Sequence, residues 1–286
     1  MTSSPAPRPA PQPAPPPVPL LFPPLRDRAW PVRRPSPGLA IDLGSARTRV
    51  WLAGRGLIAD APTVTSPGPG GTRPVRRGGI VDAEGAARLL GRLLAGHLPR
   101  SGRRPVVVLT TPVGCGGDHR AAASATLEFL RPRTVLTIDS VRAVALGAGA
   151  DLDEPLLVVD VGAGLTEIAL LAGGAVAAAH RTALGAADLG GSTTAAALAG
   201  SVVETVTGML REDGTPRTLD ALHRGLLLSG GGARRPDVVH HLARRLRTPV
   251  QPAPAPHTAA VRGAAAALLA ARRHPALAPD PDDAHR

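Results

Sequence analysis

Two aspartates, Asp42 and Asp160, each stand at the end of an apolar run and open a turn of glycine and other small residues. The first run reads Leu39-Ala-Ile-Asp-Leu-Gly-Ser-Ala-Arg-Thr, the second Leu156-Leu-Val-Val-Asp-Val-Gly-Ala-Gly-Leu-Thr. A turn without bulky side chains lets a phosphate approach main-chain N–H groups closely. A carboxylate beside it suits a divalent cation, held directly or through water. One such hairpin is a weak signal. Two of them, each returning through a Thr into a second strand, read as an internal duplication. A third small-residue turn, Ser229-Gly-Gly-Gly-Ala233, follows a buried strand and opens a helix, where a ligand or another backbone packs closely.

The elements that must position these turns follow from hydrophobic pattern and punctuation. Residues 1–37 carry Pro at nearly every second or third position and are expected to form a disordered or polyproline-like tail. Leu39–Ser45 reads as a buried strand and Thr48–Leu52 as its returning partner. Residues 65–74 read as a loop. Asp82 suits the N-cap of a helix over 83–98, and 105–110 is a β-branched, buried strand. Helices over 118–130 and 141–149 flank a short strand at 135–138. After the second hairpin come a helix around 193–211, a strand at 225–228, a helix at 237–247, a short strand at 249–250 and an Ala-rich helix at 257–273. The tail 274–286 is expected to fray.

Composition bounds the partners. Every one of the 33 basic residues is Arg, and the chain has no Lys, Asn or Tyr. Gly (33) and Pro (32) are abundant, and two Phe and two Trp are the only aromatics of that class, so the core must be built from small aliphatics. A single Cys excludes an internal disulfide framework and a Cys-based zinc cluster. No apolar run approaches the roughly 18 residues of a spanning helix, and the N-terminus has no signal-peptide core, so a reducing cytoplasm is expected. The formal charge of +11 admits nucleic acid or an anionic membrane. The shortage of stacking aromatics argues against nucleic acid, leaving a solvated Arg-biased surface. Leu20, Leu21, Phe22 and Trp30 beside Arg26, Arg28, Arg33 and Arg34 admit a weak peripheral membrane contact through 20–34. A bare tail is favoured over it, because Pro23, Pro24 and Pro31 interrupt any amphipathic helix.

Other chemistry-bearing residues are set aside. Ser229 lacks a nucleophile elbow and reads as a structural turn residue. His240 and His241 are consecutive on a helix and face different directions. Cys115 has no evident activating partner, and Arg234, Arg235, Arg244 and Arg245 read as a solvated face.

The stretches Ile41-Asp-Leu-Gly-Ser-Ala-Arg-Thr-Arg-Val, Val159-Asp-Val-Gly-Ala-Gly-Leu-Thr-Glu-Ile and Leu227-Leu-Ser-Gly-Gly-Gly-Ala resemble the phosphate-1, phosphate-2 and adenosine motifs of the actin/Hsp70/sugar-kinase superfamily. Within it the nearest resemblance is to the MreB-like bacterial actins, supported by Arg77–Asp82, Ile138–Gly149, Arg224–Gly232 and His257–Gly263. The resemblance covers residues 38–270 in order. It implies an α/β fold, the actin-like (ribonuclease H-like) two-lobe architecture with duplicated sheet cores flanked by helices. The lobes would be 38–150 and 151–273, with a nucleotide cleft between them. The function it implies is that of a shape-determining cytoskeletal protein that binds ATP and Mg2+, self-associates or joins other MreB-like proteins, and organises the cell-wall morphogenesis machinery.

Site roles carry over by motif. Gly44, Ser45, Ala46 and Arg47 would meet phosphate in the first turn, and Gly162, Ala163 and Gly164 in the second. Asp42 and Asp160 would serve the cation, while Gly230, Gly231, Gly232 and Ala233 would face the nucleoside. The departures are informative. The peripheral subdomains of the family have room only for stubs, at 65–74 and before 201, and the base-contacting helix has no counterpart. The family's water-positioning Glu falls at Ser140, with Asp139 beside it, and the usual Asn of the first turn is Arg47. A hydroxyl cannot replace a carboxylate as base, so at most weak ATPase activity is expected. The rival reading is a catalytically degenerate interaction protein that kept the fold and does not polymerise. A chaperone or a sugar kinase is disfavoured, since the first would need a substrate domain and the second a catalytic Asp.

Overall fold

In the computed structural model, which describes residues 36–274 apart from 67, 69, 99–102 and 192, the duplication read from the sequence becomes a repeated sheet. The tail segment 20–34 lies outside the described residues. The first half runs β1 (Gly38–Leu43), β2 (Arg47–Leu52), β3 (Gly56–Pro62), a two-residue ribbon of β4 (Val75–Arg76) and β5 (Gly79–Ile80), α1 (Ala83–Leu94), β6 (Val106–Thr111), α2 (Gly117–Leu127), β7 (Thr134–Asp139) and α3 (Ser140–Ala148). The second half runs β8 (Leu156–Val161), β9 (Thr166–Ala172), β10 (Ala175–Thr182), α4 (Ala195–Glu212), α5 (Arg217–Arg224), β11 (Leu226–Ser229), α6 (Pro236–Leu246), β12 (Val250–Pro252) and α7 (Ala259–Arg273).

The two five-stranded sheets have the same plan. One is ordered β3-β2-β1-β6-β7, the other β10-β9-β8-β11-β12. In each, the first three strands form an antiparallel meander and the remaining two add in parallel. Strand alternation sends residues to opposite faces. Leu39 and Ile41 of β1 join Leu90 and Leu94 of α1 and Leu127 of α2 on one side. Ala40, Val106 and Val108 face α3 and α7 on the other, against Ala143, Ala264 and Leu268. Likewise Leu157, Val159 and Val161 pack on α4, α5 and α6, while Val158 meets Val141, Val144 and Ala259 of the α3–α7 pair. The result is a stack: outer helices, sheet, the α3–α7 layer, sheet, outer helices.

That middle layer is packed too closely for large side chains at its centre. A Cβ on Gly147 would overlap the carbonyl of Ala259, and one on Gly263 would overlap the carbonyl of Ala143. The two helices therefore touch backbone to backbone, and Ala with Gly is what the gap between the sheets admits.

Local signals account for most boundaries. Asp82 caps α1 by accepting from the Gly85 N–H at 2.7 Å, and Gly149, at φ 68°, closes α3 in the left-handed conformation. Several elements escape the sequence pattern, among them the β4–β5 ribbon, β3, β10 and α5. β3 is an edge strand with a half-exposed face and no clear alternation. The run Ala175-Val-Ala-Ala-Ala of β10 favours helix by propensity, yet the tight turn at Gly173 and Gly174 (φ 55° and 71°) lays it antiparallel on β9. α5 is short and mostly exposed, burying Thr218 and Ala221.

Candidate functional site

The two Asp–Gly turns are built alike. The Gly44 N–H donates to the Arg47 carbonyl at 3.1 Å, and the Gly162 N–H donates to the Leu165 carbonyl at 2.9 Å. In both, a Cβ on the glycine would press on the carbonyl that its own N–H reaches, at 2.9 and 3.0 Å. Beyond each turn a buried Thr pins the geometry. Thr48 bonds Thr63 at 2.8 Å, whose hydroxyl also reaches the Gly44 carbonyl at 2.7 Å, and Thr166 donates to the Leu184 carbonyl at 2.7 Å. Tight glycine turns thus project from the carboxyl ends of β1 and β8, where ligands of α/β sheets bind.

Both turns face one cavity of about 250 Å3 between the sheets. Asp42, Gly44, Ser45, Ala46 and Arg47 line it from the first half, and Asp160, Gly162, Ala163 and Gly164 from the second. Of the third turn, Ser229, Gly230 and Gly231 line the cavity. Gly232 and Ala233 are buried behind them, and a Cβ on Gly232 would strike the Val161 side chain. A Cβ on Gly231 would meet open space, so the protein itself does not require glycine there. Ser140 lines the cavity at the start of α3, whereas Asp139, the last residue of β7, does not. Ser229 donates to the Pro256 carbonyl at 3.0 Å, which is the structural role expected of it. Arg47 directs its guanidinium away, to the Asp60 side chain at 2.5 Å and the Asp60 carbonyl at 2.7 Å.

A ribbon bridges the two turns. The Gly78 N–H at the β4–β5 turn donates to the Ser45 hydroxyl at 3.0 Å. Next to it, Arg77 donates to the Ala183 carbonyl and pairs with Asp188 at 3.3 Å in the second half.

The electrostatics depend on residues that the motifs did not single out. Strand pairing sets Arg49 opposite Asp42 and Glu167 opposite Asp160, the same place in each repeat. Arg49 pairs with Asp42 at 3.2 Å, and the other Asp42 oxygen accepts from the Thr110 hydroxyl at 2.9 Å. In the second half both opposed groups are acids. Asp160 Oδ1 is buried without a hydrogen-bond partner, and desolvation, reinforced by Glu167 and Asp42, raises its pKa to about 8. Glu167 is buried; its Oε1 accepts from the Val113 N–H at 2.8 Å and its Oε2 lies 2.7 Å from the Ser140 hydroxyl. Desolvation outweighs those bonds and raises its pKa to about 7. His257, which lines the cavity just before α7, has its pKa lowered by desolvation and by the nearby Arg49 and Arg234.

The donor set decides what fits. Glycine turns of matched geometry, an unhindered Gly231 and a guanidinium on the wall suit the phosphate chain of a nucleotide. A divalent cation fits less well. Asp42 is already paired with Arg49 and bonded by Thr110, and burial favours the uncharged form of Asp160, so the two carboxylates are not a ready pair of free anionic ligands. Among the described residues, no group of three or more His, Cys, Asp or Glu side chains is placed to hold a metal ion. Arg49 and Glu167 were findable in the sequence: in a hairpin, the seventh residue after each Asp lies opposite it. Thr110 and His257 come from distant segments and carried no such signal.

Comparison with known proteins matches this picture. The family model described as MreB/Mbl protein matches residues 71–192. The cell shape-determining protein MreB of Escherichia coli (strain K12) is 28% identical over 167 residues, which cover 48% of this chain and 48% of the relative. The MreB of Salmonella typhimurium (strain LT2) matches to the same extent. The chain spans about half the length of the curated relatives it matches. Among solved structures, MreB5 of Spiroplasma citri bound to AMPPNP superposes with a TM-score of 0.73 at 15% identity, covering 83% of this chain and 97% of that one. The MamK double helical filament gives 0.68 at 17% identity, covering 84% and 99%. The ethanolamine utilization protein EutJ of Carboxydothermus hydrogenoformans gives 0.58 at 20% identity, covering 81% and 90%.

Proposed function

We propose that this MreB-like chain of the actin-like fold is a nucleotide-binding cytoskeletal protein that self-associates and acts in cell shape. In this reading it holds ATP by its phosphates in the cleft between the two sheets, and its assembly serves the organisation of cell-wall synthesis. The observation that carries the reading is the pair of identically built Asp–Gly turns, one per sheet, facing a single cavity. Gly44, Ser45 and Ala46 would receive phosphate on one side and Gly162, Ala163 and Gly164 on the other. Gly230 and Gly231 would wall the nucleoside. A bound nucleotide would draw the two turns onto one phosphate chain, and the Arg77–Asp188 contact already links the two halves. The likenesses to MreB5, solved with AMPPNP and with ADP, and to MamK, solved as a double helical filament, support nucleotide binding and self-association.

Turnover in this reading is slow. Ser140 stands where a water-positioning carboxylate is expected, and the nearby Glu167 is already engaged by the Val113 N–H and the Ser140 hydroxyl. A positioned base is worth about 10²–10⁴ in rate. A cytoplasmic location accords with the single Cys. Among the described residues, no helix is long and apolar enough to cross a membrane.

The test is direct. The protein is purified, denatured and its released nucleotide identified; it is then sedimented with ATP, with ADP and without nucleotide. Adenine nucleotide in the supernatant and ATP-dependent pelleting are expected. A protein that binds nucleotide and never pellets would be a non-polymerising relative, and one that binds none would overturn the reading of the cleft.

A further inference from the structure

Arg49 is unlike the other charged residues of the cleft. It lies on β2 directly across from Asp42, with Nη1 3.2 Å from Asp42 Oδ2 and Nε 3.4 Å from Asp60 Oδ2. Asp60 is itself fixed by Arg47 at 2.5 Å, so an acid–base chain runs across three neighbouring strands. The Arg49 side chain is only 12% exposed, and its Nε has no hydrogen-bond partner of good geometry. It lines the same cavity as the glycine turns. A guanidinium has five donors, and two ion pairs leave several unused. A desolvated cation held on both flanks by carboxylates cannot swing to solvent without breaking both pairs, so its charge is fixed in the cleft.

Asp42 is the carboxylate that a cation in the first half of the site would draw on. Here one of its oxygens is given to Arg49 and the other to Thr110. The first half of the site therefore comes with its counter-charge built in, covalently part of the chain. The geometry points to Arg49 standing where a divalent cation would otherwise serve: its guanidinium compensates the phosphate chain of the nucleotide, so that ATP binds this cleft without Mg2+. The inference rests on the reading of the cleft as a nucleotide site. Fixed donors aimed at phosphate oxygens supply charge compensation without coordination chemistry, as Arg clamps do elsewhere. The repeat sharpens the point, since the equivalent place in the second half holds an acid, Glu167.

The experiment is a calorimetric titration of the full-length, nucleotide-free protein with ATP, once in excess EDTA and once with millimolar Mg2+. The expected result is an affinity that changes by less than about threefold between the two conditions, since the counter-charge is already present. Arg49→Leu should lose about 10- to 100-fold in EDTA, the usual range for a charge-assisted contact, and should regain part of it with Mg2+ once Asp42 is released. Arg49→Lys keeps a cation and should retain most of the EDTA affinity. If Arg49→Leu does not fold, as judged by circular dichroism, the wild-type comparison and Arg49→Lys still decide. Wild-type binding that falls tenfold or more on chelation overturns the inference and leaves the cleft reading standing. Cation-independent binding that Arg49→Leu does not weaken removes Arg49 from the role. No ATP binding in either condition overturns the cleft reading and the inference with it.

Discussion

At the scale of single residues, the cleft is governed by two cross-strand pairs of opposite character. Asp42 forms an ion pair with Arg49, whereas Asp160 and Glu167 are both acids whose pKa values burial raises, with Glu167 adding to the shift of Asp160. The second pair makes stability depend on pH in a definite direction. Burial pushes the Glu167 carboxyl up to about 7 in the folded chain, from 4.5 as a free side chain. Between those values the native state holds a proton that the unfolded state has released, so stability falls as pH rises through that window. Asp160 acts in the same sense over a wider window that reaches about 8. Replacing Glu167 by Gln removes its share. The amide keeps an acceptor for the Val113 N–H and a donor for the Ser140 hydroxyl. Glu167→Gln is expected to raise stability at pH 7.5 by on the order of 1–3 kcal/mol and to change it little at pH 4. Urea melts of both proteins across pH 4–8 measure this, and parallel curves would mean that Glu167 ionises normally.

Among the elements, the α3–α7 layer sets the spacing of the two sheets, and glycine is what allows it. Gly263 faces the Ala143 carbonyl and Gly147 the Ala259 carbonyl, with no space for a Cβ at either place. Gly263→Val must push two helices apart or distort one of them, and overpacking of this kind costs about 3 kcal/mol or more. Gly208, inside α4, is the control, because a Cβ there meets nothing. Gly208→Ala should raise stability by up to about 1 kcal/mol through helix propensity alone. Thermal melts of the two variants should move in opposite directions; a Gly263→Val protein as stable as the wild type would show that the helices do not meet as described.

For the whole molecule, one consequence of the stack is mechanical. α7 follows the second sheet in sequence, yet its Ala264, Ala265 and Leu268 pack on the first, while its Ala259 and Ala260 pack on the second. α3 is shared in the same way, with Ala143 on one side and Val141 and Val144 on the other. Neither sheet can lose its inner helices without stripping the other, so the halves should unfold together. In a Trp30→Phe protein, Trp51 alone reports by fluorescence, from the inner core of the first half, whereas far-ultraviolet circular dichroism sees both halves. Denaturant curves by the two probes are expected to coincide. A fluorescence midpoint well below the dichroism midpoint would show that the first half melts alone.

The sequence by itself determined the duplicated hairpins, because an apolar run, an Asp and a glycine turn are local features whose period and punctuation are visible residue by residue. It also determined the family resemblance and the positions of Gly44, Gly162 and Gly230, where the chain bends too tightly for a side chain. It did not determine β10, whose alanines favour helix until β9 offers an edge to pair with. Nor did it show that Asp42 is engaged. In the motif Asp42 and Asp160 look equivalent, and only strand register reveals that one faces Arg49 and the other Glu167. A carboxylate's role is set by the charge and solvent around it, and those come from Thr110, Asp60 and the buried floor beneath Asp160, which only the folded chain brings together.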